Sequence, residues 1–271
     1  MSANIIIPVD FTRAAEKAAE FAIGLNKEFQ AKLTFLHIID NEEDKIQATA
    51  SMDSFVDNLS LENHETEQLI VKGKFLEDIG KIADAAKADL IVMGTHGEKG
   101  MQKVFGSYAL RVVEGTKRPL FIVQESSAFK PIKTIVQTID LEKESVQVIR
   151  YAAGLAKKFN AKVLLVGGKH TDSELKAKVN TNMLFCIDQL KSQSVEFEFH
   201  FLERKNFDDN LIEFCKEKQV DLLAATHYES TFYAFSDKFV QHLIMNELHI
   251  PILTVESSNI SSSGQFGAMF G

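Results

Sequence analysis

The sequence predicts an α/β protein of two repeated, doubly wound domains, each with a five-stranded parallel sheet, packed as a pseudo-dimer. Short apolar runs alternate with amphipathic stretches of helical length along the 271 residues. This alternation implies right-handed crossovers and a parallel sheet covered on both faces. An internal repeat is also evident, because residues 21–33 return as 151–163 and residues 5–10 return as 135–140. So long a period indicates two copies of a whole domain.

The first predicted domain spans residues 1–124 and alternates five strands with four helices. Its predicted strands are residues 4–9, 32–39, 68–72, 90–93 and 120–124. Its predicted helices are residues 13–27, 47–63, 75–86 and 108–115. Thr12 is the expected N-cap of the first helix, since its hydroxyl can accept from an early backbone N–H group.

The second predicted domain spans residues 132–256 and repeats the same order after a linker at residues 124–131. Its predicted strands are residues 134–139, 162–166, 196–202, 222–225 and 252–255. Its predicted helices are residues 145–159, 173–193, 208–218 and 235–246. Residues 257–271 are rich in serine and are expected to form a flexible tail.

A glycine-rich loop joins the fourth predicted strand to the helix that follows it. It reads Gly94-Thr95-His96-Gly97 and continues to Gly106-Ser107. Glycines let a backbone approach a ligand closely, and the N-terminus of a helix favours phosphate. Ser107 could cap that helix or bind a phosphate oxygen. The alternative is a turn that merely joins two elements, since the loop lacks a Gly-Lys-Ser/Thr sequence and closely spaced glycines.

Asp10, Ile38 and Gly94 lie at the ends of the first, second and fourth predicted strands. Ligands of open α/β sheets bind beyond the carboxyl ends of the strands, where the strand order reverses. These residues can therefore meet in one crevice. The Asp10 carboxylate suits a hydroxyl, an amine or a metal-bound water, and the alternative is an N-cap or an Asx-turn that begins the next helix.

These segments resemble the universal stress proteins in their tandem two-domain form, closely in the first half and weakly in the second. The resemblance lies in residues 8–12, residues 36–40 and the glycine-rich loop from Met93 to Ser107. It implies a Rossmann-like fold and ATP, with Mg²⁺ as its accompanying ion. Adenine is expected near Asp10 and Ile38, and the phosphates near the loop. The candidate ligand-binding residues are Pro8, Asp10, Ile38, Met93, Gly94, His96, Gly97, Gly106, Ser107 and Tyr108.

Two features of the first half leave its binding role open. The family's ATP-binding pattern has nine residues between its second and third glycines, whereas residues 98–105 give eight. His96 could donate to a phosphate or could be a turn residue that faces solvent.

The second half departs further from the family pattern. Tyr228 stands at the position of Gly97, Asp237 stands near that of Ser107, and Gly167-Gly168 replace the apolar pair at residues 38–39. We therefore predict that this domain does not bind ATP in the family's way. The resemblance implies that the halves pair through residues 119–124 and 251–256. A further homodimer is an alternative.

Composition and spacing exclude several other classes. A formal charge of −8 and a pI near 5.5 argue against nucleic acid. No apolar run approaches the ~20 residues of a membrane span, and no signal peptide is evident. Two separate cysteines, Cys186 and Cys215, suit a reducing cytoplasm. The histidines lack metal-ligand spacing, and no Gly-x-Ser-x-Gly elbow is present, so no metal ligand or catalytic residue is assigned.

The expected function is that of a stress-response regulatory protein that binds ATP in its first domain, where occupancy alters interactions with a protein partner. The alternative is an interaction platform that needs no nucleotide. A third class is an enzyme, at most a slow ATPase or an adenylate-forming transferase, but residues 10–13 lack the Ser-Gly-Gly loop of the pyrophosphatase-type relatives.

Overall fold

A computed structural model describes residues 3–95, 105–228 and 237–257, with the backbone alone at residues 105–108 and 237. The described residues form two compact units, of which the first ends at Phe129 and the second begins at Lys130. Strands alternate with helices in both, so the predicted α/β class is confirmed.

The first unit is a five-stranded sheet in the order β3-β2-β1-β4-β5. All its described strand pairs are parallel. Its strands are β1 (Asn4–Pro8), β2 (Lys32–Ile39), β3 (Thr66–Lys72), β4 (Leu90–Thr95) and β5 (Leu120–Gln124). Its helices are α1 (Arg13–Phe29), α2 (Lys45–Asp57), α3 (Phe75–Ala85) and α4 (Phe105–Glu114).

The reversal of strand order in this unit lies beside β1. The chain runs from β1 through β2 to β3 on one side and then crosses to β4 on the other. All residues of β1 are buried, because helices cover both faces of a central parallel strand. Pro8 lies opposite Leu36 of β2, and the N–H group of Val9 donates to the carbonyl oxygen of Leu36 at 2.7 Å. The carboxyl ends of β2, β1 and β4 therefore lie side by side.

Helix α1 begins where the sequence predicts. The hydroxyl oxygen of Thr12 accepts from the N–H group of Ala15 at 3.4 Å, so the predicted N-cap is confirmed. The helix continues to Phe29, two residues beyond the expected end. It stops there because Gln30 adopts the left-handed conformation and donates its N–H group to the carbonyl oxygen of Asn26.

The second unit repeats the first, with the strand order β8-β7-β6-β9-β10 and parallel described pairs. Its strands are β6 (Thr134–Ile139), β7 (Lys162–Gly168), β8 (Phe197–Leu202), β9 (Leu222–His227) and β10 (Ile252–Glu256). Its helices are α5 (Ile149–Phe159), α6 (Ser173–Ser192), α7 (Phe207–Glu217) and α8 (Asp237–Ile244). The internal repeat read from the sequence is thus a repeat of topology.

Three predicted helices differ from those observed by three residues or more at one end. Helix α2 ends at Asp57 rather than at residue 63. Helix α4 begins at Phe105, so Ser107 lies within its first turn and not at its N-cap. The helix predicted over residues 145–159 divides into a 3₁₀ turn, Lys143–Val146, and α5.

The division before α5 has a tertiary cause. The hydroxyl of Thr226, in β9, donates to the carbonyl oxygen of Ser145 and accepts from the N–H group of Val148, both at 3.1 Å. These groups would otherwise take part in the backbone ladder of a continuous helix. A side chain from β9 therefore interrupts the helix.

Candidate functional site

The candidate residues of the first unit that the structure describes meet at the carboxyl edge of the sheet. Pro8 ends β1, Ile38 is the penultimate residue of β2, and Met93 and Gly94 lie in the last half of β4. Because β2, β1 and β4 are neighbours in the sheet, these residues share one edge. Asp10 lies two residues after the end of β1, at the same edge.

Asp10 serves the turn that begins α1 and is exposed to solvent. One carboxylate oxygen, Oδ1, accepts from both the backbone N–H group of Thr12, at 3.1 Å, and its hydroxyl, at 2.6 Å. This is the Asx-turn that the sequence offered as an alternative. The other oxygen, Oδ2, has no hydrogen bond to any residue that the structure describes. The turn and a ligand can therefore use different oxygens of the same carboxylate.

Phe11 and His37 form an aromatic pair beside Asp10 that sequence reasoning missed. Phe11 has a φ of 62°, a left-handed conformation that is rare for a bulky residue. Its ring centroid lies 4.4 Å from that of His37 and 6.2 Å from that of Phe55. The Nδ1–H group of His37 donates to the carbonyl oxygen of Val9 at 2.7 Å. No local pattern predicts this backbone, since the contacts that hold it come from β2 and α2.

Gly94 is required for the packing of β4 against α1. A Cβ atom at this position would lie 2.1 Å from the carbonyl oxygen of Ala14 and 2.4 Å from its carbonyl carbon. No side chain fits there without a backbone shift. The expected role of Gly94 was close approach to a ligand, and the described contact instead brings the first turn of α1 beside the end of β4. That turn carries the positive end of the helix dipole to the same edge.

The remaining candidates belong to the segment between β4 and α4. His96 and Gly97 lie outside the described residues. Gly106, Ser107 and Tyr108 lie in the first turn of α4, where the structure describes the backbone alone. Only the part of the edge formed by β1, β2, β4 and α1 is therefore described in atomic detail.

The matching edge of the second unit is closed by its own side chains. Asp140, the counterpart of Asp10, is only 6% exposed. Its Oδ2 accepts from the hydroxyl of Tyr228 at 2.7 Å, and its Oδ1 accepts from the N–H group of Leu141 at 2.6 Å. Tyr228 follows β9 and is itself 3% exposed. The amide of Asn182, from α6, donates to the carbonyl oxygen of Asp140 at 2.8 Å.

Burial controls the charges of this closed edge. It raises the pKa of Asp140 above its usual range, although the hydrogen bond from Tyr228 acts in the opposite direction. Burial, with the neighbouring Asp140 carboxylate, also raises the pKa of Tyr228, so its hydroxyl keeps the proton that it donates. Each side chain satisfies the other's buried polar group. Asp237, the other predicted obstacle, has no described side chain.

Other chemistry finds little support in the described part of the chain. It contains no group of three His, Cys, Asp or Glu side chains able to hold a metal ion. Cys186 and Cys215 are buried, and burial raises the pKa of each thiol to about 12, so neither is a reactive nucleophile. No helix among these residues is long and apolar enough to cross a membrane.

Comparison with known proteins places the first unit in a family. Residues 1–124 match the model of the universal stress protein family. Universal stress protein MJ0531 of Methanocaldococcus jannaschii is 29% identical over 139 residues, a match that covers 45% of this chain and 82% of that protein. Universal stress protein MJ0577 of the same organism is 24% identical over 159 residues, covering 47% of this chain and 98% of that protein.

Both units together also resemble a solved structure. A universal stress protein from Archaeoglobus fulgidus has a TM-score of 0.73 and covers 95% of this chain and 99% of its own. Its sequence is 14% identical to this one. At that identity, the likeness is one of fold.

Proposed function

We propose that the first unit, whose residues 1–124 match the universal stress protein family, binds ATP, with Mg²⁺, at the carboxyl edge of its sheet. Occupancy of the site changes a surface that a protein partner recognises. The observation that carries the proposal is the contrast between two aspartates. Asp10 is exposed and its Oδ2 atom has no hydrogen bond to a described residue, whereas the second unit buries Asp140 against Tyr228.

The described edge suits the base and the sugar of a nucleotide. The Oδ2 atom of Asp10 can accept from a ribose hydroxyl or an amino group. Ile38, largely buried, lies at the end of β2, and the Phe11 ring, tilted at 41° against His37, adds an aromatic wall. Such a mixture of apolar walls with few polar groups is typical of small-molecule sites.

The phosphates are assigned to the segment that joins β4 to α4. Gly97, Gly106 and Ser107 are its candidate contacts, and the N-terminus of α4 adds N–H donors and a favourable dipole. Mg²⁺ supplies charge compensation for the phosphate oxygens when it is bound with them. Rearrangement of this segment on the phosphates is the step that a partner detects, as in other nucleotide switches.

The second unit takes no part in nucleotide binding under this proposal. Its Tyr228 already donates to Asp140 the kind of hydrogen bond that a ligand hydroxyl would donate to Asp10. The two buried cysteines are in keeping with a reducing cytoplasm, which is where the proposal places the protein.

Calorimetric titration with Mg·ATP tests the proposal on the whole chain. We expect one site per chain. Asp10→Asn keeps an oxygen for the turn but replaces the ligand-facing oxygen by an amide, so the affinity should fall about tenfold or more. Asp140→Asn is the matched control, and its affinity should equal that of the wild type. Gly97→Tyr, which copies Tyr228, should abolish binding.

Two results would overturn the assignment. Absence of binding at millimolar ATP would refute the nucleotide site and favour a platform that works without nucleotide. Equal losses for Asp10→Asn and Asp140→Asn would show that the binding site is not the edge formed by β1, β2 and β4.

A further inference from the structure

Strand β8 forms one edge of the second unit's sheet and carries unusually exposed apolar groups. It pairs with β7 on one side, and no described residue pairs with its other side. Phe199, in the middle of β8, is 55% exposed. The large hydrophobic side chains that are most exposed in the described chain are Ile46, Leu184, Phe185 and Phe199, and the last three lie on α6 or β8. An exposed phenylalanine on an unpaired strand edge favours an interaction surface.

The hydrogen bonds to β7 determine which backbone groups of β8 point outward. The N–H group of Val163 donates to Glu196 at one end, at 2.9 Å, and that of Lys169 donates to Leu202 at the other, at 2.8 Å. In a parallel pair, every second residue of a strand directs its backbone N–H and C=O groups to the partner strand. Glu198 and His200 therefore also direct theirs to β7. The N–H and C=O groups of the three phenylalanines 197, 199 and 201 therefore point away from the sheet.

The side chains of β8 alternate between two faces with different chemistry. Phe201 lies on the α6 side of the sheet. A Cβ atom at Gly167 would lie 3.4 Å from Cε1 of Phe201 and 3.1 Å from Cγ1 of Val179 in α6, so both side chains are on the same face. Phe199 belongs to the same face by alternation, and its ring centroid lies 6.4 Å from that of Phe201. His200 lies on the other side, with its ring centroid 4.9 Å from that of Phe214 in α7. Its Nε2 atom is 3.1 Å from the Oε2 atom of Glu198.

We propose that β8 is a dimerisation strand, which pairs antiparallel with β8 of a second copy of this chain about a two-fold axis at Phe199. Phe199 then lies opposite its own copy, and Phe197 lies opposite Phe201. In each of these pairs the outward N–H and C=O groups exchange hydrogen bonds, as an antiparallel ladder requires. A two-fold axis at Phe199 pairs odd-numbered residues with odd-numbered residues. Those are the residues whose backbone N–H and C=O groups point outward.

Hydrogen-bonding complementarity selects this partner over an unrelated chain. The same register places Glu198 of one copy opposite His200 of the other, twice by symmetry, so unlike groups face each other on the α7 side. The phenylalanines of both copies meet on the α6 side. An interface in which the same patch serves both subunits is the geometry of a two-fold dimer.

The corresponding edge strand of the first unit lacks this complementarity. At the two ends of β3, the N–H group of Leu33 donates to the carbonyl oxygen of Glu65, and that of Gly73 donates to the carbonyl oxygen of Ile39. Odd-numbered residues therefore bond to β2. The backbone groups of Thr66, Gln68 and Ile70 point outward. A two-fold axis at Gln68 would place Glu67 opposite Leu69. Strand β3 is therefore a natural control edge.

Sedimentation equilibrium of the full chain tests the proposal with a proline at each edge. Phe199→Pro removes an N–H group that β7 does not use, so the unit should keep its fold while the dimer dissociation constant rises about tenfold or more. Gln68→Pro makes the same change at β3 and should leave the dimer unaltered. Circular dichroism of both variants checks the fold.

A cysteine pair tests the register without relying on a proline. Residues on the two-fold axis have Cα atoms about 5.5 Å apart, which a disulfide can span. Oxidised Phe199→Cys should therefore give a covalent dimer, whereas Gln68→Cys should not. A wild-type chain that remains monomeric, a dimer that Phe199→Pro does not weaken, or equal cross-linking at both edges would overturn the proposal. Capture of an unrelated extended peptide by a monomeric chain would assign β8 to that partner instead.

Discussion

Replacement of Tyr228 by Phe isolates the bond that closes the carboxyl edge of the second unit. The change removes only the hydroxyl that donates to Asp140 at 2.7 Å, and both side chains are buried. The ring remains, so no large cavity is created. Asp140 keeps the N–H donor of Leu141 but loses its partner at Oδ2.

The expected cost at neutral pH is about 1.5–3 kcal/mol, the usual value of a hydrogen bond to a charged group. The cost depends on pH because burial holds the pKa of Asp140 above its ordinary value of 3.8. The folded unit therefore binds its proton more tightly than the unfolded chain, and stability falls as pH rises through the interval between the two pKa values. Tyr228 limits that fall, since its bond lowers the pKa.

The variant should consequently lose more stability at neutral pH than in acid. Below the ordinary pKa of Asp140 the carboxyl is protonated in both states, and a neutral hydrogen bond contributes only about 0.5–1.5 kcal/mol. Amide hydrogen exchange in β6 and β9 measures the stability of this unit without assuming that the whole chain unfolds in one step. Asp140→Asn completes a double-mutant cycle in which the cost of Tyr228→Phe should become small and independent of pH. Equal costs at both pH values, or none at neutral pH, would refute the reasoning.

Two further outcomes are expected. Gly94→Ala should lower the free energy of unfolding by about 1–3 kcal/mol in urea denaturation, because its Cβ atom would overlap the carbonyl group of Ala14. Gly168→Ala should have little effect there, since the nearest atom to its Cβ is part of a flexible side chain at 3.1 Å. Cys186 and Cys215 should resist a thiol reagent at mildly alkaline pH until the chain is unfolded, because burial raises each pKa to about 12; rapid labelling of the native chain would contradict their burial.

Strands were the elements most fully predictable from the sequence. The bounds of β2, β5 and β6 agree with those predicted. Their apolar runs are buried on both faces of the sheet, so the pattern ends where burial ends. The start of α1 was predictable because Thr12 caps it through a bond between residues three apart in sequence.

Helix ends that depend on distant residues were not predictable. The helix expected over residues 145–159 is interrupted by the hydroxyl of Thr226, which is far along the chain. The contact between the rings of Phe11 and His37 likewise depends on the pairing of β1 with β2. Hydrophobic periodicity depends only on residues that are close in sequence, so it cannot predict contacts between distant ones.

The sequence by itself determined that an aspartate follows the first strand of each repeat, at the edge where ligands of this fold class bind. Only the tertiary structure decided what each aspartate does. Asp10 is exposed and uses one oxygen for its own turn, whereas Asp140 is buried and hydrogen-bonded to Tyr228, which follows β9. The physical reason is that neighbouring strands of a parallel sheet are distant in sequence. Their pairing sets which side chains meet at the edge, and that pairing exists only in the folded chain.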